Sequence, residues 1–425
     1  IILFLKGDCM EKRNILCIDL KSFFASVECV DRHLDPYTTP LVVCDPTQKG
    51  AITLAVTPYL KKQGIKGRTR VYDIPKHIKY IKVPPRMRLY QQKSKEVISI
   101  FLDFIAEEDI HVYSIDEAFL DVTDYLHLYN MNDYELATTI LNTIFKKTGL
   151  TATAGLGPNM LLAKVAMDIE AKNNKDNIAY WDYSDIETKL WKITPLSKMW
   201  GIGPRMEKRL NAIGLYSIGD IANYDKFKLK NMFGVMGTDL WLHCNGIDTA
   251  RIKDLKHQEI KDKSFSHSQV LFKDYFAFNI PIIIYEMVDV LCRRLRSEKY
   301  LCKSIGFGIS YSKKIGGGFY HSQKLDALTN ESEVIYRVCM FIFDQYYNNL
   351  PIRKVSISLS HLVENTQVQL NLFESFEEIE TKERINSTID EITNRFGKNS
   401  LLKASSLLKD STIMDRNNKI GGHRA

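Results

Sequence analysis

Residues 14–30 read NILCIDLKSFFASVECV, and residues 111–122 read HVYSIDEAFLDV. In the first stretch the apolar run Ile15–Ile18 leads into Asp19, which predicts a buried strand ending in an acid. Ser22–Val30 then shows helical spacing of apolar residues, with Ser22 as an N-cap. In the second stretch His111–Ile115 and Ala118–Val122 alternate around Asp116-Glu117, the pattern of a hairpin. Between and after them, Ser94–Glu108 and Tyr134–Thr148 predict amphipathic helices, Thr151–Leu156 a strand and Leu161–Glu170 a further helix. Strand, helix, hairpin, helix, strand is the order of a ferredoxin-like split βαβ sheet. The expected class is therefore α+β, in several domains.

The 425 residues exceed one ordinary domain. A 45% hydrophobic and 26% charged composition is that of a globular chain with real cores. The formal charge is +7, unevenly placed. Lys49–Lys95 holds thirteen Lys/Arg against one acid, Asp73, and Leu291–Lys314 holds seven against one, Glu298. Such stretches suit a long polyanion or separate phosphate contacts, although solvated helix faces would look the same. The eight cysteines form no C-x-x-C pair, which argues against a zinc site or disulfide framework and for a reducing cytoplasm. No apolar run approaches the ~18 residues of a membrane span. Residues 1–9 precede Met10 and are expected to lie outside the fold.

Residues 195–250 predict short helices punctuated by glycines, and Arg251–Lys263 a polar linker. From Ser264, strands at Phe265–Leu271, Ser304–Tyr311, Phe319–Leu325 and Lys354–Leu362, with helices at Ile280–Glu298 and Glu331–Asn348, predict a second α+β domain. Beyond Leu362 a polar, partly acidic tail is expected.

In a split βαβ sheet the strand of Asp19 and the hairpin of Asp116-Glu117 can be neighbours, bringing three carboxylates to one sheet end. Crowded carboxylates favour a divalent cation, and magnesium prefers hard oxygens completed by substrate phosphates. That is the arrangement for two-metal phosphoryl transfer. Read singly, Asp19 is equally a helix cap and Asp116-Glu117 a soluble turn.

Three longer strings decide between these readings. Ile18–Glu28 (IDLKSFFASVE) closely resembles the opening motif of the Y-family DNA polymerases. Tyr113–Asp121 (YSIDEAFLD) resembles that family's central metal-binding motif, and Asn159–Ala166 (NMLLAKVA) its third motif. Their order and separation fit too, and the bacterial UmuC-like branch is the most similar. The resemblance implies that Asp19, Asp116 and Glu117, with the Leu20 carbonyl, hold two Mg2+ ions. It implies that Phe24, beside Phe23, is the steric gate that excludes a ribose 2′-hydroxyl, although an aromatic on an apolar helix face is otherwise a core residue. Tyr59 and Lys62 match residues that hold the triphosphate; many relatives carry Arg at the second position, whose fork a Lys ammonium lacks. Lys164 matches a lysine reaching the triphosphate or primer end, and Met160 stands where relatives often have another lysine.

Lys198–Arg205 (KMWGIGPR) resembles a helix-hairpin-helix, in which Gly201, Gly203 and Arg205 would meet a DNA phosphate without reading sequence. Ser264–Ser268 resembles the start of the family's little finger, where His267 is expected to be structural. Gln369, Leu370, Leu372 and Phe373, in QLNLF, resemble the peptide by which bacterial polymerases bind the sliding clamp.

The resemblance implies a right-hand polymerase: a ferredoxin-like palm (10–22 and 90–170), small fingers (23–89), a helix-hairpin-helix thumb (171–250), a linker (251–263), an α+β little finger (264–362) and a tail (363–425) with the clamp peptide. Its partners would be primer-template DNA, deoxynucleoside triphosphates and the clamp, without a membrane, and its copying low-fidelity translesion synthesis. A nucleotide cyclase-like enzyme would not need the hairpin or the clamp peptide. A non-catalytic DNA-binding scaffold would not need the three carboxylates with Phe24 and Lys164.

Overall fold

The structure is a computed structural model and describes residues 12–46, 50–256, 263–365 and 376–424. It divides into two compact units, Ile1–Gln258 with His423–Ala425, and Glu259–Gly422.

The first unit is organised by β1 (Ile15–Leu20), a strand buried on both faces. Its alternating side chains enter different cores: Ile15 and Cys17 go to one, Leu16, Ile18 and Leu20 to the other. Each fully buried Ile or Leu of this kind contributes about 1.5–3 kcal/mol relative to exposure, so β1 is the strand that both layers need. A small three-stranded sheet follows, with β2 (Leu41–Val43) between β3 (Ala55–Val56) and β4 (Ile81–Val83). The hairpin comes next, as β5 (Ile110–Val112) and β6 (Glu117–Asp121), then β7 (Ala152–Gly157) and β8 (Ile178–Tyr180).

The main sheet has the order β5-β6-β1-β7-β8, with β1 antiparallel to both β6 and β7. The expected strand, helix, hairpin, helix, strand order is thus present. Helices Met87–Leu102 and Asp133–Thr148 cover one face through Val97, Ile100 and Phe101, and through Leu136, Ala137, Ile140 and Ile144. Helix Met160–Ala166 lies on the other face, and it lies very close. A Cβ at Gly155 would stand 2.0 Å from the Ala163 carbonyl oxygen, and one at Gly157 2.8 Å from the Ala163 nitrogen. Glycine at these two positions is what lets the helix seat against β7.

The structure corrects several expected boundaries. The helix expected at 94–108 runs Met87–Leu102, because Tyr90, Ser94, Val97 and Phe101 form its buried stripe, and the polar Gln91–Lys93 run separates its first turn from the rest. Ser22 adopts a left-handed conformation (φ 50°, ψ 40°) and makes no side-chain cap. Helix Phe23–Val30, assigned to the fingers, buries Phe23, Ala25, Val27 and Cys29 in the core beneath the main sheet. The main sheet itself extends past residue 170, because β8 joins it. Part of the expected linker is the helix Ile252–Lys256, held by buried Ile252 and by Lys253 at 3.4 Å from Asp109.

In the second unit β9 (Phe265–Tyr275), β10 (Tyr300–Tyr311), β11 (Gly318–Thr329) and β12 (Ile352–Glu364) form a sheet of order β11-β10-β12-β9. Helices Ile280–Ser297 and Ser332–Tyr346 share its core. His267 is part-buried on β9; burial, then Arg416, pushes its pKa down to about 4, in keeping with a structural residue. The stretch of residues 376–422, expected as part of a tail, folds onto this unit. It contains the helices Phe376–Phe396 and Ile413–Asn417. Arg296 holds Asp390 through two hydrogen bonds of 2.7 and 3.1 Å, and Thr412 Oγ1 donates to buried Glu286 at 3.0 Å. Its docking runs through ion pairs and hydrogen bonds, which an apolar-periodicity reading does not register.

Candidate active site

Asp19 and Glu117 are register partners across β1 and β6, and the Leu20 N–H donates to the Asp116 carbonyl at 2.9 Å. The three acids therefore meet at one end of the sheet as the sequence predicts, but their side chains do not converge. Glu117 Oε1 is 2.7 Å from Lys164 Nζ and accepts from Cys17 Sγ at 3.3 Å. Asp116 Oδ1 accepts from Ser114 Oγ at 2.6 Å, and Asp19 lies 3.8 Å from Lys172 Nζ. Among the described residues no cluster of three carboxylate, His or Cys side chains is drawn tightly enough to cage a metal ion.

The electrostatics nonetheless fit a divalent cation. Burial, opposed by Lys172 and reinforced by Asp116 and Glu117, pushes Asp19 up to about 6. A carboxylate whose ionised form is disfavoured in this way gains most from a hard cation, and protons compete for it below that pH. The oxygen-rich donor set, with the Leu20 carbonyl at the strand end, suits magnesium more than a softer metal.

Lys164 sits differently from the expected phosphate ligand. It is 8% exposed, lies 2.7 Å from Glu117 and 3.1 Å from Asp168, and stays firmly charged. Burial opposes that charge, and Cys17, Glu117 and Asp168 outweigh it. It is placed to hold Glu117 rather than to reach outward.

Lys172 is the cation that the third motif's reading misses. It is 37% exposed, pairs with Asp168 at 2.7 Å and faces Asp19. Positions 164, 168 and 172 are successive fours, the spacing that keeps side chains on one helical face. Lys21 joins the same group: its pKa is lowered, first by burial, then by Lys62, with Lys172 and Lys61 adding to the effect and Asp19 opposing it. Lys61 and Lys62 of the Pro58–Lys62 helix, Lys21 just after β1 and Lys172 thus lie around one space beside Asp19.

The other predicted residues fall as follows. Phe23 is 2% exposed, whereas Phe24 is only partly buried, its ring 5.5 Å from Phe23 and 4.9 Å from Tyr90. Tyr59 packs partly buried on the small sheet's core, and exposed Lys62 lies over the Tyr37 ring at 5.7 Å. Gly201 has φ +88°, a conformation glycine adopts without strain, and Gly203 caps the helix Pro204–Asn211. Gly201, Gly203 and Arg205 are exposed around buried Ile202, beside a helix start whose first N–H groups lack intrahelical acceptors. Gln369, Leu370, Leu372 and Phe373 lie outside the described residues. The seven described cysteines are all buried and unpaired. Among the described residues no helix is long and apolar enough to cross a membrane.

Comparison with known proteins agrees with this arrangement. Residues 18–168 match the impB/mucB/samB family, residues 183–215 the IMS family HHH motif, and residues 262–372 the impB/mucB/samB family C-terminal domain. The putative UV-damage repair protein UvrX of Bacillus subtilis is 38% identical over 97% of this chain and 98% of its own length. DNA polymerase IV 2 of the same organism is 30% identical over 97% of this chain and 99% of its own. A solved Y-family DNA polymerase chimera of Dbh and Dpo4 shares the fold, with a TM-score of 0.65 at 20% identity over 83% of this chain and 100% of that one. The chain belongs to the impB/mucB/samB family, that of the UmuC-like Y-family DNA polymerases.

Proposed function

We propose that this Y-family polymerase extends a primer past damaged template bases, using two magnesium ions, as part of a cytoplasmic DNA-damage response. The observation that carries the reading is the pairing of Asp19 with Glu117 across β1 and β6, next to the cationic group of Lys21, Lys62 and Lys172. Carboxylates that want a cation beside lysines that want an anion describe a seat for a metal-bound triphosphate.

Asp19, Asp116, Glu117 and the Leu20 carbonyl would hold the ions, which when bound activate the primer 3′-hydroxyl and neutralise the leaving pyrophosphate. Lys172, Lys21 and Lys62 draw the triphosphate in, and Tyr59 flanks it. Lys164 keeps Glu117 in place. Phe24 would be the ring that meets the sugar. Gly201, Gly203 and Arg205 hold a backbone phosphate of the primer-template. The palm, fingers, thumb and little finger divide along the main sheet, the small sheet, the 181–250 helices and the second unit. Extension of a primer opposite an abasic site by the purified chain with magnesium tests the reading. Failure to add any nucleotide, even on undamaged template, overturns it.

We assign Gln369, Leu370, Leu372 and Phe373 to a sliding clamp, the apolar pair anchoring in a groove and Gln369 adding a polar contact. Such anchors typically carry about 2 kcal/mol or more each. Changing Leu372 and Phe373 together to Ala should leave extension of short primers unchanged and abolish both clamp pull-down and clamp stimulation. Preserved clamp response with a lowered Tm would place these side chains in a core instead.

A further inference from the structure

We propose that Trp200 is a positioning residue that sets the phosphate-holding turn against the hairpin carrying Asp116 and Glu117. Trp200 immediately precedes Gly201. Its indole Nε1 donates to the Tyr113 hydroxyl at 3.3 Å, and the two rings meet edge to face at 6.0 Å and 76°. Its ring also packs 6.2 Å from Phe119. Tyr113 and Phe119 bracket the metal-binding acids: Tyr113 opens the turn, with its N–H bonded to the Glu117 carbonyl at 3.0 Å, and Phe119 follows Glu117 by two residues on β6. On its far side Trp200 stacks on His243 of the helix Val235–Cys244, 6.4 Å away and within 8° of parallel. One side chain therefore wedges between the helical segment that would grip DNA and the strand pair that would carry the metals. Phe119 itself is 1% exposed, so the wedge rests on a fixed floor.

The argument for function is geometric and rests on the reading of Gly201–Gly203 as a phosphate contact. Nucleotide addition needs the primer 3′ end aligned on the metals to well under an ångström, and a misplacement of about 1 Å can cost ~100-fold in rate. A turn that holds the DNA but floats against the carboxylates binds well and reacts slowly. Flat, rigid rings with few torsions fix such a distance better than a flexible polar contact does.

The test is single-turnover nucleotide addition at saturating primer-template and nucleotide. Trp200→Ala should lower the rate about tenfold while the primer-template Kd changes less than twofold. Trp200→Phe, which keeps a ring, should stay within about threefold of the parent. Tyr113 is 48% exposed, so Tyr113→Ala removes the other half of the contact with little threat to folding. It should also lower the rate, and the double variant should be no slower than Trp200→Ala alone, as expected when the Tyr113 contribution runs through Trp200. A parent-like rate in Tyr113→Ala, or in folded Trp200→Ala, overturns the proposal. So does a rate loss that appears only as weaker DNA binding. Gly201→Ala reports separately on the turn: unchanged DNA affinity there would sink the phosphate reading, whatever Trp200 does.

Discussion

Asp116→Ala and Glu117→Ala should each lower nucleotide addition by at least ~1000-fold, about 4 kcal/mol of transition-state stabilisation, and leave primer-template affinity within a few-fold of the parent. The asymmetry follows from where the residues sit. The acids stand at the end of β1 and β6, whereas the proposed DNA contacts lie at Gly201–Arg205. Glu117→Ala also strips buried Lys164 of its 2.7 Å partner, leaving Asp168 at 3.1 Å, so its Tm must be read beside its rate. Glu117→Gln preserves shape and one oxygen, and separates lost ligation from lost packing. Burial and its acidic neighbours push Asp19 up to about 6. The parent's activity should therefore fall as the pH drops through that region, because a protonated carboxyl is a poor ligand. A cation binds the ionised form, so raising magnesium should move the fall to lower pH. Substantial extension by both alanine variants would remove the metal assignment altogether.

The catalytic sheet was legible because its pattern is dense in local signal. The run Ile15–Ile18 is apolar at every position, as a strand buried on both faces must be, and an acid ends it. Asp116-Glu117 announces a turn and the alternation around it a hairpin. The boundaries were harder where the deciding contacts are long-range. Helix Met87–Leu102 is interrupted by the polar Gln91–Lys93 run, and its anchor is Tyr90, whose hydroxyl donates to Glu28 at 2.6 Å, sixty-two positions earlier. Residues 376–422 bury few apolar side chains and dock through Asp390, Asp410 and Thr412. No local window contains both halves of such a pair. Lys172 is an intermediate case. Its spacing from Lys164 and Asp168 is readable, but which of the two lysines faces outward depends on burial: 8% exposure for Lys164 and 37% for Lys172.

Phe24→Ala should raise ribonucleotide incorporation relative to deoxyribonucleotide by at least ~10-fold, since about 1.4 kcal/mol of lost discrimination suffices. The two adjacent phenylalanines provide their own control. Phe23 is buried to 2% within the core beneath the main sheet, and its replacement by Ala should cost stability of about 3–5 kcal/mol without a specific change in sugar preference. Phe24 lies one position on, partly buried at the edge of that core, with its ring backed by Tyr90 at 4.9 Å and Phe23 at 5.5 Å. A ring backed in this way cannot retreat from a 2′-hydroxyl, and an alanine leaves room for one. The measurement is the ratio of kcat/KM for the two sugars in each variant, with Tm recorded alongside. Selectivity that stays at the parent value in Phe24→Ala, with a Tm loss like that of Phe23→Ala, would return Phe24 to the core and leave sugar choice to other residues.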